Sequence, residues 1–225
     1  MSIHASPKVN SKYSDLVKSV NDVLLLHKGM ISKFEMNNFL SYGCSDRWIL
    51  VVSKTKMLNH LVLAFHEDLS SYQVPFSLFN CEALKSLRFD WCKLRLSSQY
   101  DGFSSLTELE MCYLTLTDET LKTFIAKIPR LKALKVIHCQ SLKDIVIHAP
   151  NLEVVKIEGI NESVNFQNTP NLRDMKVWLC KRTCRLDTVL GGLHELQVVN
   201  LRYPSMEAFP GRLHHHLSPS KVCGP

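Results

Sequence analysis

The chain lacks a run of apolar residues long enough to cross a bilayer. The stretch Val23 to Leu26 is too short even for the apolar core of a signal peptide, so an intracellular place, cytoplasm or nucleus, is expected. Glycine is scarce, at 8 of 225 residues, and no glycine-rich phosphate loop can be assembled from it. There is no G-x-S-x-G elbow and no H-E-x-x-H pair. The adjacent acids Asp118 and Glu119 are explained by the start of a helix, where negative charge opposes the dipole. With no catalytic constellation, neither an enzyme nor a cofactor is expected.

No C-x-x-C pair occurs among the eight cysteines. Cys81, Cys92 and Cys139 stand where a small apolar residue would pack, which reads as reduced core thiols. Cys180-x-x-x-Cys184, even with His138, His148 or His194, lacks the spacing of a zinc knuckle, so no metal is expected. His214, His215 and His216 sit in the unpatterned tail and imply nothing about native metal binding. Charge is not concentrated either. The formal excess is +6, with lysines scattered along the chain. Such a balance permits an acidic partner, demands no nucleic acid and points to no membrane surface.

What is present is a spacing. Leu131-x-x-Leu134-x-Val136, Leu142-x-x-Ile145-x-Ile147 and Leu152-x-x-Val155-x-Ile157 repeat one pattern, whose fourth and sixth positions have the period of a half-buried strand. Full units begin at Leu58, Leu84, Leu106, Leu131, Leu152, Leu172 and Leu196, with separations of 26, 22, 25, 21, 20 and 24 residues. Leucine-rich repeats run about 20–29 residues. The expected fold is therefore an α/β leucine-rich-repeat solenoid, with a parallel sheet on the concave side and mostly irregular returns on the convex side. About eight units are expected over residues 14–203, between a loose segment 1–13 and an unpatterned tail 204–225.

Ser14 is the expected N-cap of a first helix, with Leu16, Val20, Val23 and Leu24 on one face and Gly29 at its end. That helix serves as a partial cap of the stack. Ser45-Asp46 opens a second helix that turns Trp48, Ile49 and Val52 inward. Thr117 caps a third, with Leu121, Phe124, Ile125 and Ile128 as its buried stripe. One additional strand around Val146 is admitted on the concave face.

The segments VNDVLLLHKGMISKF, SDRWI, VPFSLFNCEALKSLRFDWCKL, GFSSLTELEM, LTDETLKTFIAKIPRLKALKVIHCQSLKDIVIHAPNLEVVKIEG and NTPNL resemble plant F-box proteins of the F-box/FBD/LRR type. In that family an F-box helix bundle binds the adaptor of an SCF-type ubiquitin ligase, and the repeats present the substrate. No residues here match the F-box, so the resemblance implies substrate recognition and leaves adaptor binding to an F-box supplied elsewhere. The expected function is a non-catalytic protein-interaction module. The alternatives are a ligase-independent interaction protein that competes with full-length relatives, and a truncated, non-functional fragment. An uncapped last strand is expected to promote self-association.

The residue between the fourth and sixth apolar positions should face the concave side: Arg88, Glu110, Lys135, Lys156, Lys176 and Asn200. The residue after the sixth adds Asp90, Cys112, Ile137, Glu158, Trp178 and Arg202. Of these, Arg88, Glu110, Lys135, Lys156, Glu158, Lys176, Trp178 and Arg202 form the candidate partner surface. Aligned, the three lysines repel one another unless solvent or an acidic partner screens them. They read either as a patch for an acidic protein or as ordinary solvation of an exposed strand. Trp178 reads either as a contact anchor or as a ring buried beneath the chain's end.

Overall fold

In the computed structural model the leucines of the repeat are the core. Leu58, Leu61 and Leu63 of one unit and Leu131, Leu134 and Val136 of another are buried to within about 1% of their surface. The structure describes residues 7–27, 29–39, 44–67, 71–98, 100–159, 161–179 and 195–202. Eight strands form one sheet: β1 (Lys33–Phe39), β2 (His60–Phe65), β3 (Ser86–Asp90), β4 (Glu108–Cys112), β5 (Ala133–Ile137), β7 (Val154–Gly159), β9 (Asp174–Leu179) and β10 (Val198–Arg202). Every neighbouring pair is parallel.

The register matches equivalent residues across units. Leu87 lies beside Leu109, Leu109 beside Leu134, Leu134 beside Val155 and Val155 beside Met175. Because side chains alternate faces, matching the leucines also matches the polar residues between them on the other face. Before each strand the same amide-to-carbonyl bond recurs, from Lys85 to Asn59, Thr107 to Lys85, Lys132 to Thr107, Glu153 to Lys132 and Arg173 to Glu153, at 2.8–2.9 Å.

Helix α1 (Pro7–Leu26) begins seven residues before Ser14, so Ser14 lies within it and is not its cap. Pro7 suits a first turn, where its missing N–H is not needed. The segment after it is polar and without apolar period, which hid the extension. The buried stripe also differs from the expected one. Val17, Val20 and Leu24 pack on the core, whereas Leu16 and Val23 are exposed. Trp48 Nε1 donates to Asn21 Oδ1 at 2.9 Å and ties α1 to α2 (Ser45–Ser53). In α2, Trp48, Ile49 and Val52 turn inward as expected.

Helix α3 (Asp118–Ala126) opens as expected, with Thr117 Oγ1 accepting from the Thr120 N–H at 3.2 Å. Its Phe124 joins Phe79, Tyr100 and Phe103 in an aromatic cluster behind the sheet. Gly102, at φ +98°, passes against the Lys127 carbonyl at the end of this helix.

Two expectations about the returns are overturned. Leu142-x-x-Ile145-x-Ile147 forms β6 (Asp144–His148), but this strand is not in the concave sheet. It pairs with β8 (Ser163–Gln167) as a second, two-stranded sheet, Ile145 beside Val164 and Ile147 beside Phe166. The returns of the units beginning at Leu131 and Leu152 are thus strands, not irregular. Leu142 follows Leu131 by 11 residues, half a circuit, so its strand arrives on the opposite wall of the coil. Length explains the choice of conformation. The 25-residue unit from Leu106 covers its return with the nine residues of α3, about 13 Å at 1.5 Å per residue. The units of 21 and 20 residues cover a similar distance with five, about 16 Å at 3.3 Å per residue.

Candidate functional site

The outward face of the eight-stranded sheet carries the residues expected on it. In the central row Arg88 lies beside Glu110, Glu110 beside Lys135, Lys135 beside Lys156, Lys156 beside Lys176 and Lys176 beside Asn200. No strand intervenes between the lysines, because β6 is elsewhere. The next row runs Asp90, Cys112, Ile137, Glu158, Trp178, Arg202 in register.

The expected clash of lysines is relieved by the chain itself. Lys135 Nζ meets Glu110 Oε2 at 3.0 Å, Lys156 Nζ meets Glu158 Oε1 at 2.6 Å and Lys176 Nζ meets Asp174 Oδ2 at 3.1 Å. Arg88 donates through Nε and a terminal nitrogen to Asp90, and its other terminal nitrogen lies 3.6 Å from Glu110. The hydrogen bond to Asp90 raises the Arg88 pKa further, so this guanidinium is a permanent cation. Glu158 is 7% exposed, and its Oε1 contacts Lys156 as an ion pair rather than an aligned hydrogen bond. Arg88, Lys135, Lys156 and Lys176 are matched in number by their carboxylate partners Asp90, Glu110, Glu158 and Asp174. Net charge therefore does not single out an acidic partner; the pattern of paired charges is what a partner would read. Exposed pairs of this kind add little to stability, about 0–1 kcal/mol each.

Trp178 is half-buried, with Lys156 Nζ 5.7 Å from its ring centroid in a cation–π contact. It leans diagonally onto the neighbouring strand's lysine. Arg202 holds its register position beside Trp178.

Cys81, Cys92, Cys112 and Cys139 are buried thiols without disulfides. Burial pushes Cys81 up to about 11 and Cys139 up to about 12, and holds Cys92 and Cys112 well above the ordinary thiol range. Such thiols pack; they do not act as nucleophiles. Among the described residues no group of three His, Cys, Asp or Glu side chains could hold a metal, and no helix is long and apolar enough to cross a membrane. Cys180, Cys184, His194 and the histidines 214–216 lie outside the described residues.

One feature of this face was missed from the sequence. Just past β3, β4 and β5, the rings of Trp91, Tyr113 and His138 stack on one another. Trp91 and Tyr113 lie 4.2 Å apart and 3° from parallel; Tyr113 and His138 lie 5.4 Å apart at 29°. All three have left-handed backbones, with φ 55°, 56° and 49°. A bulky residue there costs about 1–3 kcal/mol. The conformation lets the N–H of each donate to the next unit, to the carbonyls of Cys112, Ile137 and Glu158 at 3.1, 2.8 and 2.6 Å. The signal was legible. Phe65, Trp91, Tyr113 and His138 each stand seven residues after the first leucine of their unit.

Residues 45–200 match the family described as FBD-associated F-box protein At5g56370, LRR repeats. The chain is also 32% identical over 162 residues to the F-box/FBD/LRR-repeat protein At1g13570 of Arabidopsis thaliana, a match covering 71% of this chain and 38% of that protein. The chain thus spans well under half the length of the relative it matches. No solved structure matches. Seven spaced leucines, a parallel sheet with one strand per unit and these two likenesses converge: the chain belongs to the leucine-rich-repeat family of plant FBD-associated F-box proteins.

Proposed function

We propose that this chain is a protein-binding repeat scaffold that recognises the substrate of a plant SCF-type ubiquitin ligase and has no catalysis of its own. The supporting observation is the register of the outward face, which sets Arg88, Glu110, Lys135, Lys156 and Lys176 side by side at strand spacing with ion-paired carboxylates between them. A rigid, charge-patterned sheet confers specificity through matching and mismatching charges more than through raw affinity. Glu158, Trp178 and Arg202 extend the contact surface, with Trp178 as its aromatic member. Ligase function follows only when an F-box is present in the same complex.

The test is capture of a substrate protein from plant extract by the immobilised chain, repeated with the Lys156→Glu, Lys176→Glu double variant and with Trp178→Ala. Loss of the same captured protein from both variants, with unchanged thermal unfolding, is the expected result. Equal capture by all three proteins overturns the proposed surface. Binding of the purified ligase adaptor to the same chain is measured separately; its absence, with substrate capture retained, moves the reading to a ligase-independent competitor. Val198 and Val199 of β10, the last strand among the described residues, are about half exposed, which supports self-association there. Sedimentation as a monomer at all concentrations rejects it.

A further inference from the structure

The ion pairs of the outward face are layered. The side chains of Arg88, Lys135, Lys156 and Lys176 are 34–50% exposed, and those of their partners Asp90, Glu110, Glu158 and Asp174 only 9–29%. In each pair the cation is the outer member. The length of lysine does not by itself produce this order, for Lys132 and Glu153, paired just before β5 and β7, are 57% and 42% exposed. Neighbours in the sheet produce it. Glu158 lies in register between Ile137 and Trp178, both half-buried, and Asp90 lies beside the buried Cys112. The shorter acids settle among these side chains, whereas the longer cationic stems carry their charges above them. Each carboxylate also holds its cation, as Glu158 does at 2.6 Å from Lys156 Nζ, so less side-chain freedom remains to be lost on binding.

We infer that the outward face over β5, β7 and β9 docks an acidic segment of a partner protein. The inference rests on the reading of this face as the binding surface and names the chemistry of its partner. Equal numbers of charges do not cancel at a partner's surface when their depths differ. Coulomb energy falls with distance: a partner carboxylate about 3 Å from an ammonium lies about twice as far from the acid behind it, and attraction outweighs repulsion about twofold. A basic segment meets the reverse, because the outer cations keep it from the acids. The neighbouring β4 is less suited, since Glu108 stands exposed there with no ion-pair partner among the described residues. On β5, β7 and β9 the carboxylates of the face, Glu158 and Asp174, are both inner members of lysine pairs. A protein segment suits this face better than a nucleic acid. Val154, Ile137 and Trp178 stand among the lysines, where the side chains of a peptide can cover them and a phosphate backbone brings only charge.

The experiment is calorimetric titration of the full chain with decaglutamate, decalysine, a glycine-serine peptide of equal length and decauridylate RNA. Decaglutamate should bind about tenfold or more tightly than each of the other three, since several cations act together. Lys135→Gln and Lys176→Gln should each weaken it about threefold, the worth of one exposed ion pair. Lys132→Gln removes the same charge off the face and should leave binding within about 1.5-fold, because solvent and salt screen a charge the peptide does not touch. The three variants carry equal net charge, so the comparison separates position from the overall +6 of the chain. Decaglutamate binding no tighter than decalysine or the glycine-serine peptide, decauridylate preferred over decaglutamate, or equal losses in Lys132→Gln and Lys135→Gln each overturns the inference. If a substrate protein is lost from the Lys156→Glu, Lys176→Glu variant while decaglutamate is not preferred, the binding surface stands and its acidic partner does not.

Discussion

The side-chain amide of Asn171 donates to the carbonyl of Pro150 at 2.9 Å, across the boundary between two units. Asn151 makes the same bond one unit earlier, to Pro129 at 2.8 Å. Each asparagine stands just before the first leucine of its unit, and its partner is the proline two residues before the first leucine of the preceding unit; Arg130 occupies the asparagine position of the unit that begins at Leu131. Asn151→Ala or Asn171→Ala should each cost about 1 kcal/mol, the net worth of one such bond. Urea unfolding checks this, and an unmoved midpoint would show that water replaces the bond without loss.

A methyl group at Gly102 would lie 1.9 Å from the Lys127 carbonyl oxygen, and the backbone there has φ +98°. The Phe103 N–H donates to that same carbonyl at 3.2 Å, so the segment cannot retreat without giving up a bond to the end of α3. Gly102→Ala should cost about 3 kcal/mol or more. Thermal unfolding measures it, and a melting temperature equal to that of the parent chain contradicts the close approach.

Leu134 is completely buried between Leu109 and Val155. Leu134→Asp leaves an unpaired charge in the middle of the stack and should cost about 3–5 kcal/mol. Because each unit leans on its neighbours, the damage should spread along the array rather than stay local. Circular dichroism and proteolysis report the outcome; a fully folded, protease-resistant Leu134→Asp chain is the result that sinks the assigned register.

The buried thiols set an alkaline limit. Their folded pKa values are raised above the ordinary value near 9, to about 11 for Cys81 and about 12 for Cys139. The folded chain therefore keeps protons that the unfolded chain releases. The stability they contribute is complete below about pH 9 and is lost as pH climbs through 11–12. Unfolding measured against pH should show falling stability above pH 9, and iodoacetamide at pH 8 should leave Cys81, Cys92, Cys112 and Cys139 unmodified until denaturant is added. Rapid alkylation of Cys92 in the native chain, where burial is complete, contradicts the packing.

The spacing of leucines was sufficient to read the repeat, the parallel sheet and the residues that share its outward face. These follow from local alternation: once Leu134 and Val136 must be buried, Lys135 must face out, whatever lies beyond. The Thr117 cap and the inward side of α2 were legible for the same reason, since each depends on a few consecutive residues. What spacing could not decide was how segments meet. Leu131 and Leu142 begin identical patterns, yet one enters the main sheet and the other its opposite wall, because a strand joins whichever neighbour the length of the coil brings it to. The pairing of Lys135 with Glu110, the diagonal contact of Lys156 with Trp178 and the stacking of Trp91 on Tyr113 arise between units, from side chains that sequence separates by 20 residues or more. The sequence by itself determined which residues are buried and which are offered to a partner, since that choice is made by alternation along each strand; only the tertiary structure decided the aromatic order of the offered surface and the charge contacts that cross it, such as Lys135 with Glu110, since those are made between strands that the coil brings together.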